Sequence, residues 1–166
     1  MDDSILPKDL IELAERVVAE NRAAGRKIVT AESCTGGLVA AALTEIPGSS
    51  AVLERAFVTY SNDAKCDMLG VPLDIIETLG AVSIGCVWAM AQGAIANSQA
   101  DVAVAVSGIA GPAGGSELKP VGTVVFARAI RGEDSEQEGE MKRFGDIGRS
   151  EIRRQAALCA LDLLLP

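Results

Sequence analysis

The sequence predicts an α/β fold: a single three-layer α/β/α domain over residues 1–166, with a mixed, mostly parallel central sheet. Three observations predict it. Stretches with apolar residues at helical spacing alternate along the chain with short, nearly unbroken apolar runs, the pattern of helices packed on a sheet. One of those runs, Asp101–Val106, is apolar at every position after the first, as suits a central strand covered on both faces. Hydrophobic residues make up 49% of the 166, enough for one domain with a real core and too many for disorder.

The elements follow in order. Leu10, Ile11, Leu13, Ala14, Val17 and Val18 recur at helical spacing and Gly25 fits a stop, so a helix is predicted over about Lys8–Ala24. A short strand, Lys27–Thr30, leads through a polar turn into a helix over about Thr35–Leu43. Ile46–Ser50 reads as a loop and Ala51–Tyr60 as a strand, irregular at its start. Ser61 and Asn62 offer a cap for a short helix, Asp63–Leu69, ending at Gly70; a second, Pro72–Leu79, stops at Gly80. Ser83–Asn97 is helical, with Val87, Met90, Ala91, Ala94 and Ile95 on one face, and Ala89, Ala94 and Ala96 keep it slim. After strand Asp101–Val106 comes a small-residue loop, Ser107–Pro112, continued by Ala113–Pro120. Val121–Ile130 pairs as a hairpin with Glu140–Phe144 across a charged turn, Arg131–Glu138. Gly145–Gly148 breaks the chain before a closing helix, Arg149–Leu164. No repeat, low-complexity tract or linker interrupts this order.

Composition removes several function classes. No apolar run approaches the roughly 18 residues that span a bilayer. The start, Met1-Asp2-Asp3-Ser4, is acidic and unlike a signal peptide, so a cytoplasmic protein without membrane partners is expected. A net charge of −8 argues against a nucleic-acid partner, while leaving room for a small phosphorylated ligand held by local cations. Cys34, Cys66, Cys86 and Cys159 are widely spaced, with no C-x-x-C, which suits buried apolar roles better than a disulfide framework or zinc site. The chain has no histidine. Ser-His-Asp triads, Cys-His dyads and H-E-x-x-H metal sites are therefore excluded, and any general base must be Lys, Asp, Glu or Tyr. No metal and no cofactor is expected.

Ligands of such folds gather at the carboxyl ends of strands, where three loops qualify: Glu32–Gly37, Tyr60–Lys65 and Ser107–Gly115. The first lies within Ala31-Glu32-Ser33-Cys34-Thr35-Gly36-Gly37. A strand–turn–helix of this kind aims unpaired N–H groups at one spot, where an anion or oxyanion is stabilised. The same residues also fit a plain helix N-cap at Ser33 or Thr35, with Gly36 and Gly37 allowing close packing. Without histidine, Ser33 and Lys65 are the natural nucleophile and base, since a desolvated lysine loses pKa; a solvated surface Lys65 is the plain alternative. Cys34 is a rival nucleophile, and Glu32 a second-ranked base. Ser107-Gly108-Ile109-Ala110-Gly111 can cradle a phosphate or simply turn at the sheet edge. Arg149 can supply a phosphate-binding fork or be a surface arginine.

Thr30-Ala31-Glu32-Ser33-Cys34-Thr35-Gly36-Gly37, Tyr60-Ser61-Asn62 with Ala64-Lys65, and Ser107-Gly108-Ile109-Ala110-Gly111-Pro112, in this order and spacing, resemble the CinA C-terminal domain family of nicotinamide mononucleotide amidases. The likeness runs from about Leu10 to Leu164, with nothing like the amino-terminal domain of longer CinA proteins. It implies hydrolysis of nicotinamide mononucleotide to nicotinic acid mononucleotide and ammonia, with catalytic roles for Ser33, Lys65 and Tyr60. It further implies that Glu32, Cys34, Thr35, Gly36, Gly37, Asn62, Ser107, Gly108, Ile109, Ala110, Gly111 and Arg149 bind a pyridine mononucleotide substrate. The family usually carries Gly-Asp-Arg before the last helix; this chain reads Gly145-Asp146-Ile147-Gly148-Arg149, so Arg149 is the phosphate ligand expected and Arg153 the reserve. Two rival functions stay open: a non-catalytic module that binds a pyridine nucleotide, and an amidase of another small amide. Whether the protein forms a homo-oligomer also stays open.

Overall fold

The computed structural model describes residues 3–133 and 139–166. Its five strands are β1 (Ile28–Glu32), β2 (Leu53–Val58), β3 (Val102–Gly108), β4 (Thr123–Ile130) and β5 (Gly139–Arg143). Its six helices are α1 (Lys8–Ala23), α2 (Leu38–Thr44), α3 (Asn62–Leu69), α4 (Leu73–Leu79), α5 (Ile84–Ala96) and α6 (Arg149–Leu163), with a 3-10 turn at Ser49–Ala51. The sheet order is β2-β1-β3-β4-β5; β1 runs parallel to both neighbours, and β3–β4 and β4–β5 are antiparallel.

The strand alternation divides the core in two. Val102, Val104 and Val106 of β3, with Val124 and Phe126 of β4, join the core under α1, α2 and α6. Ala103 and Ala105, with Val125, Ala127 and Ala129, face the core that holds α5. Valine on one face and alanine on the other is a period-two pattern. The alanine face leaves little relief, and α5 meets it with Ala91, Ala94 and Met90, all fully buried. That helix in turn carries Gly93, whose missing side chain admits α3: a Cβ there would run into the Leu69 carbonyl. Ser61 caps α3 by accepting from the Ala64 N–H (3.0 Å), and Gly70 closes its other end.

Chain direction creates the site. After β1 the chain crosses to β2 on one side through α2; after β2 it crosses back through α3, α4 and α5 to β3 on the other side of β1. The connections diverge between β1 and β3, which opens a crevice beyond their carboxyl ends, the usual ligand position in such sheets.

The structure moves several boundaries. β1 continues to Glu32 rather than Thr30, because Ala31 and Glu32 pair with both Phe57–Val58 and Ala105–Val106. Ladder bonds on two sides carry the strand past the point where its apolar run ends. Helix α2 begins at Leu38, not Thr35, since Gly37 takes φ +99° in the left-handed region and stands at the N-cap. The expected strand Ala51–Tyr60 is trimmed to Leu53–Val58. Ser107 and Gly108 belong to β3 rather than to a loop, held by pairing with Val125 and Val124. Within the expected turn Arg131–Glu138, residues 134–138 lie outside the described residues. Among the described residues no helix is long and apolar enough to cross a membrane.

Candidate active site

Ser33 is the first residue beyond β1. Its N–H donates to Val106 O (3.0 Å), extending the ladder one step, and its carbonyl accepts from the Gly36 N–H (3.0 Å), closing a tight turn. Lys65 lies in the first turns of α3 and is 1% exposed. Its Nζ stands 2.9 Å from Ser33 Oγ. It also donates to the carbonyls of Thr59 (2.9 Å) and Tyr60 (3.2 Å), with Ser61 O at 3.5 Å. No carboxylate is among these partners. Burial pushes the Lys65 ammonium below its usual range, against a weaker opposing pull from the thiols of Cys86, Cys34 and Cys66.

The geometry suits a neutral amine. Such a nitrogen has two N–H groups and one lone pair. In that form the carbonyls of Thr59 and Tyr60 would accept its two N–H groups and leave the lone pair for the Ser33 hydroxyl. The adjacent thiol is a poor competitor: Cys34 is buried in the core beside α2, and burial pushes its pKa up to about 11.

The crevice holds about 300 Å³. Ser33, Cys34, Tyr60, Asn62, Lys65, Ser107, Gly108, Ile109, Ala110, Gly111 and Arg149 line it, so one space brings together all three loops singled out in the sequence. Arg149 opens α6 and is fixed on two sides, donating to Gly111 O (2.7 Å) and to Tyr60 Oη (3.1 Å). None of the lining residues is acidic, although the chain carries −8 overall. The local field thus favours an anion.

Four expected ligand residues stand elsewhere. Glu32 is fully buried, with its carboxylate turned to α2: Oε1 accepts from Thr35 Oγ1 (2.7 Å) and the Val39 N–H (2.9 Å), Oε2 from the Ala40 N–H (3.1 Å). Thr35 spends its hydroxyl on that bond. Gly36 spends its N–H on Ser33, and Gly37 caps α2 against Val58. None of the four lines the crevice. The bonds also correct the plain cap reading: neither Ser33 nor Thr35 caps α2, because Glu32 does so from the end of the strand. Arg153, the reserve phosphate ligand, is committed to the turn, donating to Cys34 O (3.1 Å) and Thr35 O (3.0 Å).

Sequence reasoning missed Ala81 and Val82, which face the crevice from the approach to α5, and did not single out Ala113, Gly114 and Gly115 within the third loop. Small and apolar, they carry no chemical signal. Thr59 contributes only a carbonyl, which no side-chain pattern announces.

A family model, described as the CinA C-terminal domain, matches residues 10–166. The nicotinamide-nucleotide amidohydrolase PncC of Escherichia coli is 51% identical over 157 residues, covering 94% of this chain and 93% of that protein. A CinA-like protein of Akkermansia muciniphila is 53% identical over 139 residues, covering 84% of this chain but 33% of that longer protein. Among solved structures, the competence/damage inducible protein CihA from Agrobacterium tumefaciens superposes with a TM-score of 0.92 at 52% identity, covering 97% of this chain and 96% of the other.

Proposed function

The chain belongs to the CinA C-terminal domain family, and from that premise we propose that it is a nicotinamide-nucleotide amidohydrolase, converting nicotinamide mononucleotide and water to nicotinic acid mononucleotide and ammonia by a serine–lysine mechanism. The observation that carries the mechanism is the 2.9 Å approach of Lys65 Nζ to Ser33 Oγ, with the lysine buried and, among the described residues, without an acidic partner.

Neutral Lys65 takes the Ser33 proton as Oγ attacks the carboxamide carbon. The carbonyl oxygen becomes an oxyanion beside the turn. Among the described residues, the N–H group of Cys34, which lines the crevice, makes no hydrogen bond to another residue and is the donor available to it. The C–N bond breaks, the departing nitrogen takes the proton from Lys65, and ammonia leaves an acyl ester on Ser33. Water, deprotonated by Lys65, then attacks that ester, and Oγ recovers its proton. Ala81 and Val82 offer the pyridine ring an apolar berth, while Arg149 and the Ser107–Gly111 segment receive the phosphate. Tyr60 orients Arg149 through its hydroxyl and Lys65 through its carbonyl. A module that merely sensed a pyridine nucleotide would have no use for a buried lysine on a serine hydroxyl.

Measuring ammonia release from nicotinamide mononucleotide, with nicotinamide and the riboside as controls, tests the assignment. Release from the mononucleotide that vanishes in Ser33→Ala is expected. Preference for a different amide would move the protein to another substrate, and no release from any amide would leave binding alone.

A further inference from the structure

We propose that Glu32 and Arg153 are positioning residues for Ser33, clamping the turn Ser33–Gly37, one through its donors and the other through its carbonyls. The inference rests on the reading of Ser33 as nucleophile and goes beyond it.

The turn needs a clamp. It contains two consecutive glycines, both at positive φ (Gly36 +60°, Gly37 +99°), and glycine segments are the loosest in a chain. Helix α2 gets no cap from its own N-cap residue, because Gly37 has no side chain. Glu32 supplies the missing acceptor. Its two oxygens gather the Thr35 hydroxyl and the N–H groups of Val39 and Ala40, tying the end of β1, the middle of the turn and the first turn of α2 to one carboxylate. A fully buried carboxylate is costly unless its lone pairs are used; three donors use these.

Arg153 works on the other set of backbone groups. Its guanidinium grips Cys34 O and Thr35 O together, a fork geometry that a lysine cannot reproduce. With those two carbonyls held, the peptide planes that carry the Thr35 and Gly36 N–H groups are set; the Gly36 N–H in turn holds the Ser33 carbonyl, whose plane carries the Cys34 N–H. Arg153 lies four residues after Arg149 and thus on the same side of α6. One helix face therefore delivers one arginine to the crevice and a second to the turn.

Active-site chemistry is sensitive to such placement: an error of about 1 Å costs about 100-fold in rate. The test uses the full chain carrying Glu32→Gln, Arg153→Lys or Thr35→Val. Gln replaces one acceptor oxygen by an amide that meets an N–H head-on. Val deletes only the hydroxyl–carboxylate bond, and serves where Glu32→Gln folds poorly. Expected for Glu32→Gln and Arg153→Lys is a kcat on nicotinamide mononucleotide lower by about 100-fold, with KM and the acidic limb of the pH–rate profile unmoved. The second readout is the rate at which a small sulfonyl fluoride labels Ser33, a reaction that ignores the nucleotide site. It should fall in parallel, per correctly folded site. Equal labelling of parent and variants, or a raised KM at unchanged kcat, overturns the clamp while leaving Ser33 as nucleophile. A parent that is not labelled at Ser33 overturns the nucleophile reading and the clamp with it.

Discussion

Replacing Lys65 by Met separates the lysine's chemical part from its cost to the fold. Met fills nearly the same volume without the amine, so the core around α3 stays packed. The nitrogen it removes has four partners within 3.5 Å, among them Ser33 Oγ at 2.9 Å. Loss of the general base costs roughly 10²–10⁴ in rate, so kcat/KM on nicotinamide mononucleotide should fall by about three orders of magnitude. Lys65→Arg should not rescue it, because a guanidinium stays protonated. Stability should respond with a defined sign. Burial holds the Lys65 pKa below its ordinary value, while the unfolded chain keeps it near ~10.4. Between the two values the unfolded state binds more protons, so this group makes stability rise with pH across that window, by at most about 1.4 kcal/mol per unit. Below the folded value the full penalty is present; above ~10.4 it is gone. The parent should therefore gain stability relative to Lys65→Met as pH climbs toward that upper bound. Ammonia release over a pH series and urea unfolding at each pH measure both effects. A Lys65→Arg variant with the parent's rate, or a parent–Met stability gap constant with pH, would refute the neutral-base argument.

Ser33→Ala should abolish turnover yet still bind nucleotide by calorimetry, whereas Cys34→Ala should keep most of the rate, since burial pushes that thiol to about 11; the reverse pattern would transfer the nucleophile to Cys34. Arg149→Gln removes a fork from the crevice and should raise KM for the mononucleotide by about 10- to 150-fold, the equivalent of one charge-assisted contact of about 1.5–3 kcal/mol. The riboside, already lacking the phosphate, should be a poor substrate for the parent and indifferent to Arg149→Gln; equal efficiency on riboside and mononucleotide removes the phosphate site. Gly93→Ala should lower the thermal midpoint by several degrees through an overpacking cost of about 1–3 kcal/mol, because its methyl would enter the Leu69 carbonyl of α3; an unchanged midpoint would mean that α3 moves freely away.

The order of helices and strands was legible because periodicity and breakers act locally. Pro7 with Gly25, Ser61 with Gly70, and Ser83 each mark an end of a helix within a residue or two of its place. What was not legible came from pairing across the chain. Glu32 looks like the start of a polar turn, yet two neighbouring strands extend the ladder through it, and only a fold that brings α2 back over the strand end gives its carboxylate three donors. Arg153 reads as a reserve phosphate ligand, because nothing in α6 reveals that its fork meets the carbonyls of residues more than a hundred positions earlier. Ser33, Lys65, Tyr60 and the Ser107–Gly111 segment could be picked out because they carry hydroxyl, amine or glycine chemistry at or just beyond the carboxyl ends of strands. Ala81 and Val82 could not, since an apolar wall of a crevice and an apolar wall of a core are written alike.

Under the serine–lysine mechanism proposed above, a chain without histidine needs a lysine that gives up its proton readily, and the layering of this fold is suited to that. A lysine lowers its pKa when water is kept from it and no carboxylate answers it. The alanine face of the sheet, Ala103, Ala105, Ala127 and Ala129, lets α5 settle low, and Gly93 lets α3 settle on α5. Lys65 is thereby drawn inside until it is 1% exposed, although it belongs to a helix of eight residues at the molecular edge. The carbonyls of Thr59 and Tyr60 supply acceptors without supplying charge. The carboxylate nearest in sequence to the serine, Glu32, is kept occupied by Thr35 and α2. Arg153 is spent on backbone carbonyls of the turn. Small residues far from the crevice thus do as much to prepare the Ser33–Lys65 pair as any side chain within it.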